Sequence, residues 1–135
     1  MSSLLKVFDI TGSAMISQSK RLNTVASNLA NAETVAPPGG TPYKAKHVVF
    51  TATPLGDEDA TGVTVERIQE DSTPPKMVYN PGDPSADANG FVSMANINVA
   101  DEMVDMISAS RSYQTNVEVM NAAKSLFLKT LTIAQ

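Results

Sequence analysis

The sequence predicts a mainly α-helical protein with a small β lobe, in which long N- and C-terminal helices form a coiled-coil-like helical domain. The distribution of helix-breaking residues supports this fold class: all eight prolines lie between Pro37 and Pro84, and six of the seven glycines lie within residues 39–90. Residues 91–135 contain neither proline nor glycine. Because both residues disfavour the interior of a helix, the Pro/Gly-rich middle is predicted to form short strands and extended loops between two long helices.

The chain of 135 residues has about the length of one ordinary domain. We expect residues 1–35 to supply the N-terminal helix of a discontinuous helical domain. Residues 36–94 would form a linker and a small β-containing lobe, and residues 95–135 the C-terminal helix that completes the helical domain. A helix of about 30 residues is roughly 45 Å long, whereas a compact globule of this size has a radius of gyration of about 14 Å, so an elongated molecule is expected.

The N-terminal helix, predicted over residues 4–32, carries large apolar side chains at a spacing of seven: Phe8, Met15, Leu22 and Leu29. This spacing places them on one slowly drifting stripe. A flanking row is half polar: Leu4, Thr11, Gln18 and Val25. The opposite face carries the polar residues Asp9, Ser13, Lys20, Asn23 and Thr24.

The C-terminal helix, predicted over residues 99–134, repeats the pattern with Val99, Met106, Tyr113, Met120, Phe127 and Ala134. Asn98 precedes the helix and is a suitable N-cap. Asp101, Glu102 and Asp105 then follow in the first turns, where negative charge interacts favourably with the helix dipole.

Two helices packed antiparallel would each bury one seam, and further apolar residues would remain near the surface: Leu5, Val7, Ile16, Val104, Ile107, Val119, Leu126 and Ile133. This surplus favours further partner helices, from copies or relatives of the chain. The predicted subunit-interface residues are the large members of the two stripes: Phe8, Met15, Leu22, Leu29, Met106, Tyr113, Met120 and Phe127. A small helical bundle that is complete by itself remains the alternative from the pattern alone.

The middle segment is predicted to contain four short strands, over residues 44–53, 61–68, 76–79 and 91–93. The second of these alternates valine with polar residues, which is typical of a half-exposed strand. The acidic run at residues 57–59 lacks the spacing of an EF-hand calcium loop and is interpreted as a solvated loop.

Composition and charge exclude several classes of function. Residues 33–105 carry four basic and twelve acidic side chains, whereas each end of the chain has a net charge of +2. This distribution argues against a nucleic-acid partner, which requires a dense basic face. The chain has no cysteine and one histidine, His47, so thiolate and multi-histidine metal sites are excluded.

No catalytic constellation, cofactor motif or small-molecule substrate site is predicted. Asp83 and Asp87 are four residues apart, but Pro84 disfavours a helix that would present them as a catalytic pair. The N-terminus lacks a basic region followed by an apolar run, so no cleavable secretory signal is expected.

Sequence motifs in both predicted helical segments resemble those of the bacterial flagellar rod and hook proteins. Residues 26–34 read Ala-Ser-Asn-Leu-Ala-Asn-Ala-Glu-Thr and are followed, after a linker, by Tyr43-Lys44. This resembles the family signature, in which an N-terminal helix ends in Asn-x-Ala-Asn, followed by Thr and by Tyr with a basic residue. The motif residues in this chain are Asn28, Asn31, Thr34 and Tyr43.

Residues 80–92 and 108–119 also resemble the corresponding segments of that family. Most members place the Tyr almost directly after the Thr, whereas eight residues intervene here. In this departure and in its short length, the chain resembles the proximal rod members of the family rather than the longer distal rod and hook proteins.

The resemblance implies a structural subunit of the flagellar basal body that stacks helically around a central channel, with terminal helices inward and middle lobes outward. It implies type III export without a cleaved signal, and a location in the periplasm-spanning basal body. The implied partners are copies of the chain, other rod proteins and the rod-base adaptor, with the surrounding membrane ring and the export gate as further candidates. A secreted coiled-coil binding module or export adaptor is the alternative, and a small hydrolase is a third class.

Overall fold

The two ends of the chain that lack prolines form long helices, and the strands lie between them. In a computed structural model, which describes residues 2–56 and 60–134, the order is α1 (Ser2–Ala30), β1 (Lys46–Pro54), β2 (Thr61–Glu70), β3 (Lys76–Tyr79), β4 (Phe91–Met94) and α2 (Val99–Ile133). The predicted two helices and four strands are confirmed, with most element ends within two residues of the predicted ones. The acidic run at residues 57–59 lies outside the described residues.

The helices α1 and α2 pack side by side and run antiparallel. Near the C-terminal end of α1, Asn28 Nδ2 lies 3.1 Å from Glu102 Oε2, in the first turn of α2. Further toward its N-terminus, α1 faces the middle of α2, where Met15 and Tyr113 line one groove. At the start of α2 the Asn98 side chain accepts a hydrogen bond from the backbone N–H of Ala100 at 3.0 Å, which confirms the predicted N-cap.

The most buried line of contact between the helices consists of small and polar residues. On α1 it includes Thr11 and Val25, and on α2 it includes Ala109 and Ala123, with at most 5% of any of these residues exposed. Short side chains at a helix contact allow the two axes to approach closely. The larger stripe residues, such as Leu22, are therefore half-buried along the rim of the pair, and the half-polar row of α1 is more deeply buried than its large apolar stripe.

Each strand pair forms its own two-stranded antiparallel sheet. The pairing of β1 with β2 is shifted between Val49 and Phe50 by a β-bulge, and β3 pairs with β4 without a shift. The linker that follows α1 also contacts β4, because Val35 forms a β-bridge with Met94. This bridge fixes the path of the chain from the first helix into the lobe.

The β1–β2 hairpin docks on α1 through two serines that lie one helical turn apart. The backbone N–H of Val63 donates to Ser13 Oγ at 3.1 Å, and Ser17 Oγ donates to the carbonyl oxygen of Val63 at 3.0 Å. Gly62 permits this approach, because a Cβ at that position would lie 2.7 Å from Ser13 Oγ. The polar face of α1 that carries Ser13 and Thr24 is thus partly covered by the sheet, and Thr24 is only 8% exposed.

The two carboxylates considered as a catalytic pair instead stabilise turns between β3 and β4. Asp83 Oδ1 accepts from the backbone N–H of Ser85 at 2.8 Å. Asp87 Oδ1 accepts from the backbone N–H groups of Asn89 and Phe91, each at 2.9 Å. Their oxygens therefore serve the backbone of the loop, as Asp side chains commonly do in turns.

Candidate functional site

One buried side chain, Asn28, connects four separate segments of the chain. Its Nδ2 donates to the carbonyl oxygen of Lys46 at 2.8 Å and to Glu102 Oε2 at 3.1 Å. Its Oδ1 accepts from Tyr43 Oη and from the backbone N–H of Lys46, each at 2.9 Å. A primary amide offers two donors and two acceptor sites, so the hydrogen-bonding capacity of Asn28, which is 1% exposed, is fully used.

The local structure explains why these groups meet at one point. Asn28 lies in the last turn of α1, Lys46 is the first residue of β1, and Glu102 is in the first turn of α2. Tyr43 lies in the extended segment between α1 and β1 and reaches back to the helix. We call this set of Asn28, Tyr43, Lys46 and Glu102 the junction, because it fixes both helices and the linker relative to the β1–β2 hairpin.

The electrostatics of the junction favour the neutral form of the Tyr43 phenol. Partial burial, followed by the nearby Glu102 and Glu70 carboxylates, raises the pKa of Tyr43 above its ordinary value of 10.0. The Lys46 ammonium lies 5.8 Å from the centre of the Tyr43 ring, within the range of a cation–π contact. The protonated hydroxyl required for donation to Asn28 is therefore present at neutral pH.

The other two motif residues form a local cap at the end of α1. Asn31 Nδ2 donates to the carbonyl oxygen of Ser27 at 2.9 Å, and Thr34 Oγ1 donates to that of Asn31 at 2.8 Å. The same two carbonyl oxygens also accept backbone N–H groups, Ser27 from Asn31 at 3.1 Å and Asn31 from Thr34 at 3.2 Å, so the side chains reinforce the last turn of the helix. The four motif residues thus divide into a connecting pair, Asn28 and Tyr43, and a capping pair, Asn31 and Thr34.

The position of Tyr43 after the linker suits either an anchor of the linker against a neighbouring molecule or the first residue of a strand. Strand β1 begins at Lys46, so the second alternative is wrong. The Tyr43 hydroxyl bonds Asn28 of its own chain, and the contact seen for it is therefore internal.

Sequence reasoning missed the contributions of Glu102 and Lys46 to the junction. Glu102 was interpreted only as a favourable charge near the N-terminus of α2, yet it is 7% exposed. The available signal was its register, since Glu102, Ala109 and Ala123 are separated by multiples of seven and therefore share one face of the helix.

Three of the eight predicted interface residues, Met15, Tyr113 and Met120, line a second candidate site, a largely apolar groove between the helices. Met15, Ile16, Tyr113 and Met120 line it, with Gly12 leaving room on α1. The groove is open to solvent, since Ile16 in its lining is 63% exposed and Tyr113 is 36% exposed. The eight predicted interface residues do not form a closed core; all are at least partly accessible: Phe8, Met15, Leu22, Leu29, Met106, Tyr113, Met120 and Phe127.

The predicted surplus of apolar surface is present. Seven of the eight residues expected near the surface are exposed, with Val7 half-buried instead: Leu5, Ile16, Val104, Ile107, Val119, Leu126 and Ile133. No helix among the described residues is both long and apolar enough to cross a membrane. Within residues 2–56 and 60–134, no group of three or more His, Asp or Glu side chains is placed to hold a metal ion.

Comparison with known proteins gives the context of these two sites. Residues 8–37 match the family described as flagella basal body rod protein. Residues 88–133 match the C-terminal family of the flagellar basal body rod FlgEFG proteins. The two matched regions cover most of α1 with the motif residues Asn28, Asn31 and Thr34, and the whole of α2.

Curated relatives match over nearly the entire chain. The flagellar basal-body rod protein FlgC of Salmonella typhimurium is 55% identical over 132 residues, which cover 98% of both chains. The FlgC protein of Yersinia enterocolitica is 55% identical over 133 residues, covering 98% of this chain and 99% of the relative. That of Escherichia coli O157:H7 is 54% identical over 132 residues. With this identity along its whole length, including the junction and both long helices, the chain belongs to the FlgC family of flagellar basal-body rod proteins.

Proposed function

We propose that the protein is a structural subunit of the proximal rod of the bacterial flagellar basal body. One observation carries this proposal: a chain that matches rod proteins along its whole length exposes apolar side chains along both long helices. Monomeric proteins rarely leave contiguous apolar surface uncovered unless it binds something. Covering that surface contributes roughly 25 cal/mol per Å², so association with neighbouring subunits stabilises each subunit.

In this proposal the helix pair supplies the contacts and the junction fixes the shape of the subunit. The groove between Met15 and Tyr113 receives helices of neighbouring subunits in a coiled-coil-like manner. The predicted interface residues along both helices take part in these contacts. The four hydrogen bonds of Asn28 hold the β1–β2 hairpin in one orientation, so that successive subunits present the same outer surface.

The proposed partners are copies of the chain, other rod proteins and the rod-base adaptor, with the membrane ring and export gate as further contacts of the assembled rod. The proposed location is the part of the basal body that spans the periplasm, reached by flagellar type III export without a cleaved signal. The subunit acts without catalysis, cofactor or small-molecule substrate. A secreted binding module or export adaptor is not favoured, because the full-length relatives are named rod proteins.

The test is co-assembly of the purified protein with other rod proteins, measured by sedimentation and electron microscopy. Leu22→Asp and Phe127→Asp are expected to abolish incorporation, because each places a carboxylate on the large apolar stripe of its helix. Ile16→Asp tests the same surface at a residue that is 63% exposed and therefore contributes less to folding of the monomer. The matched control is Asn121→Asp, which adds the same charge at an exposed polar position of α2.

Circular dichroism of each variant separates loss of folding from loss of assembly. A helical Ile16→Asp protein that incorporates as well as the Asn121→Asp control would contradict the proposal. We also expect a dilute monomer to have less helix than the assembled form, because its helices lack their partners. Full helix content in the dilute monomer would contradict that expectation.

A further inference from the structure

Gly12 leaves an open space in the wall of the groove that the packing of the single chain does not explain. It lies in the interior of α1, where glycine is less stable than alanine. A Cβ at this position would meet no other atom within 4 Å, and its φ is not among the positive values that favour glycine. The absence of a side chain is explained if a side chain from another molecule approaches the helix at this point.

A stripe of apolar side chains lies on the other face of the helix pair. Val119, Leu126 and Ile133 follow one another at a spacing of seven on α2 and are 44%, 55% and 85% exposed. Leu126 follows the buried Ala123 by three residues, whereas Met120 of the groove precedes it by three. At 100° per residue, these two side chains point about 60° to either side of Ala123. The groove and this stripe, which we call the back stripe, therefore lie on opposite faces of the two-helix layer.

We propose that Leu126 of one copy inserts over Gly12 in the groove of a second copy that points in the same direction. This inference rests on the proposed function and specifies the partner of the groove. Since opposite faces meet in this contact, neither copy has to be turned about its helix axis relative to the other. Met15 and Met120 of the groove then surround the inserted side chain, and the back stripe covers the apolar lining.

The register of the contact follows from the pairing of the two helices within one copy. Asn28 and Glu102 lie at the same level, since 3.1 Å separates Nδ2 from Oε2. Gly12 precedes Asn28 by 16 residues and therefore lies at the level of Glu118, which follows Glu102 by 16 residues. Placing Leu126 of the second copy at this level shifts that copy by eight residues, about 12 Å along the axis.

The same register brings complementary groups together. Met120 of the groove is two residues, or about 3 Å, from the level of the inserted Leu126. Lys124 lies one turn beyond Met120 on the same side of α2 and reaches the level of Thr132, in the last turn of the second copy's α2. That turn contains no basic side chain of its own, and the Lys124 ammonium interacts favourably with its carbonyl groups.

The contact is compatible with a tube in which every subunit turns the same side to the channel. It joins two different surfaces, so it is heterologous and cannot close at two copies. The axial shift of about 12 Å makes repeated contacts a helix rather than a flat ring. The hairpin docks on α1, and the edge of α2 opposite Ala123 carries mostly polar side chains, with Glu118 and Ser125 among them. Successive copies therefore keep their hairpins outward and this polar edge inward.

Cysteine cross-linking tests the contact directly, because the chain has no cysteine. Ser19 lies in the groove wall, and in the proposed register Val119 of the second copy reaches its level. Ser19→Cys/Val119→Cys is therefore expected to give a ladder of dimers, trimers and larger species upon oxidation at high protein concentration. Within one copy the two positions lie on opposite faces and about 12 Å apart along the axis, too far for an internal disulfide.

The size of the cross-linked product decides between the arrangements. A product that stops at the dimer would indicate a closed two-fold pair, and monomers alone would indicate no contact; both results would overturn the proposal. Each single-cysteine variant is a control and should give at most a dimer.

Substitutions at Gly12 separate association from folding. Gly12→Leu fills the open space and is expected to lower the association constant, measured by light scattering, at least tenfold, which is about 1.4 kcal/mol. Gly12→Ala is expected to lower it about threefold while making the dilute chain more resistant to urea. A glycine with a role only in the fold of the monomer would not combine a gain in stability with a loss of association. Unchanged association of a helical Gly12→Leu chain would overturn the proposal.

Leu126→Asp tests the other side of the contact and is also expected to lower the association constant at least tenfold, because it places a carboxylate in the apolar groove. The matched control is Ile107→Asp, at a residue of the same helix that is 56% exposed, against 55% for Leu126. Ile107 lies five turns before Ser125 on the polar edge, outside the contact, so its replacement should change association by no more than about twofold. Equal losses in the two variants would contradict the assignment of Leu126.

Incorporation with rod partners distinguishes this inference from the proposed function. If Gly12→Leu and Leu126→Asp leave self-association unchanged while Ile16→Asp still blocks incorporation, the groove receives a different rod protein; the inference then fails and the proposed function stands. If Ile16→Asp also has no effect on incorporation, the proposed function fails as well.

Discussion

Replacing Asn28 with alanine tests whether the junction determines the stability of the subunit. The substitution removes all four hydrogen bonds of the amide. It leaves the Glu102 carboxylate and the backbone N–H of Lys46 without their partner in the interior. An unsatisfied buried group costs about 1–3 kcal/mol, whereas the part-buried Tyr43 hydroxyl can bind water and costs less. We therefore expect the free energy of unfolding to fall by about 3 kcal/mol.

This loss is large compared with the total stability of a single domain, about 5–15 kcal/mol. Urea unfolding followed by circular dichroism measures it at a protein concentration that keeps the chain monomeric. With a slope of about 2 kcal/mol per M, the midpoint should move down by about 1.5 M. The slope itself should be unchanged if the variant keeps the native fold.

Asn31→Ala is the matched control, because it makes the same substitution one turn further along the chain. The Asn31 amide donates to Ser27 in an exposed hydrogen bond, so its loss should cost less than about 1 kcal/mol. If the two variants unfold at urea concentrations that agree within error, the buried network contributes little. The assignment of Asn28 as the residue that fixes the lobe would then be wrong.

Four further substitutions test single positions of the fold. Gly62→Ala should lose about 1–2 kcal/mol of stability, because the new methyl group lies 2.7 Å from Ser13 Oγ. A Cβ at Gly12 would meet no other atom within 4 Å. Gly12→Ala should therefore raise the free energy of unfolding by about 0.5–1 kcal/mol, because alanine is more stable than glycine in a helix interior. Equal effects of the two substitutions in urea unfolding would refute both statements. The pKa of Tyr43 is higher in the folded chain than its ordinary value of 10.0, so folding favours the neutral phenol. This contribution to stability is fully present below pH 10.0 and is lost as the pH rises through the folded-state pKa. Tyr43→Phe should therefore be less stable at pH 7 but have a flatter stability profile in alkali, and parallel profiles would contradict this. Asn98→Ala should cost about 1 kcal/mol through loss of the N-cap, and an unchanged unfolding midpoint would exclude that role.

The elements of the fold could be predicted from the sequence because their signals are local. Proline and glycine placement determines where helices can extend, and the alternation in β2 is visible within ten residues. The N-cap at Asn98 follows from the residues directly after it. The surplus of apolar surface was also predictable, because the number of large apolar residues exceeds what two antiparallel helices can cover.

The packing of these elements could not be predicted, because it depends on contacts between distant residues. The half-polar row of α1 is buried more deeply than its large apolar stripe, with Thr11 and Val25 each only 4% exposed. The polar face of α1 receives the hairpin because the hydroxyl groups of Ser13 and Ser17 satisfy the backbone of Val63. A count of apolar residues cannot reveal a contact made by hydroxyl groups.

Only part of the candidate site could be predicted, because its contacts also join residues that are distant in the sequence. The resemblance identified Asn28 and Tyr43 as important, but their common hydrogen bond spans 15 residues of sequence and the bond to Glu102 spans 74. Glu102 has an ordinary explanation as a first-turn acid, so nothing in its immediate surroundings indicates burial. Only the antiparallel register of the two helices brings its carboxylate to the end of α1.

The two serine hydroxyl groups on Val63 have a consequence for how subunits can meet. In an antiparallel pair, alternate residues direct their N–H and C=O groups away from the partner strand, and an uncovered row of such groups attracts strands of other molecules. At Val63 both groups are occupied by the first helix. A foreign strand cannot pair at this position, so the outer edge of β2 is interrupted there as a template for sheet extension between crowded copies.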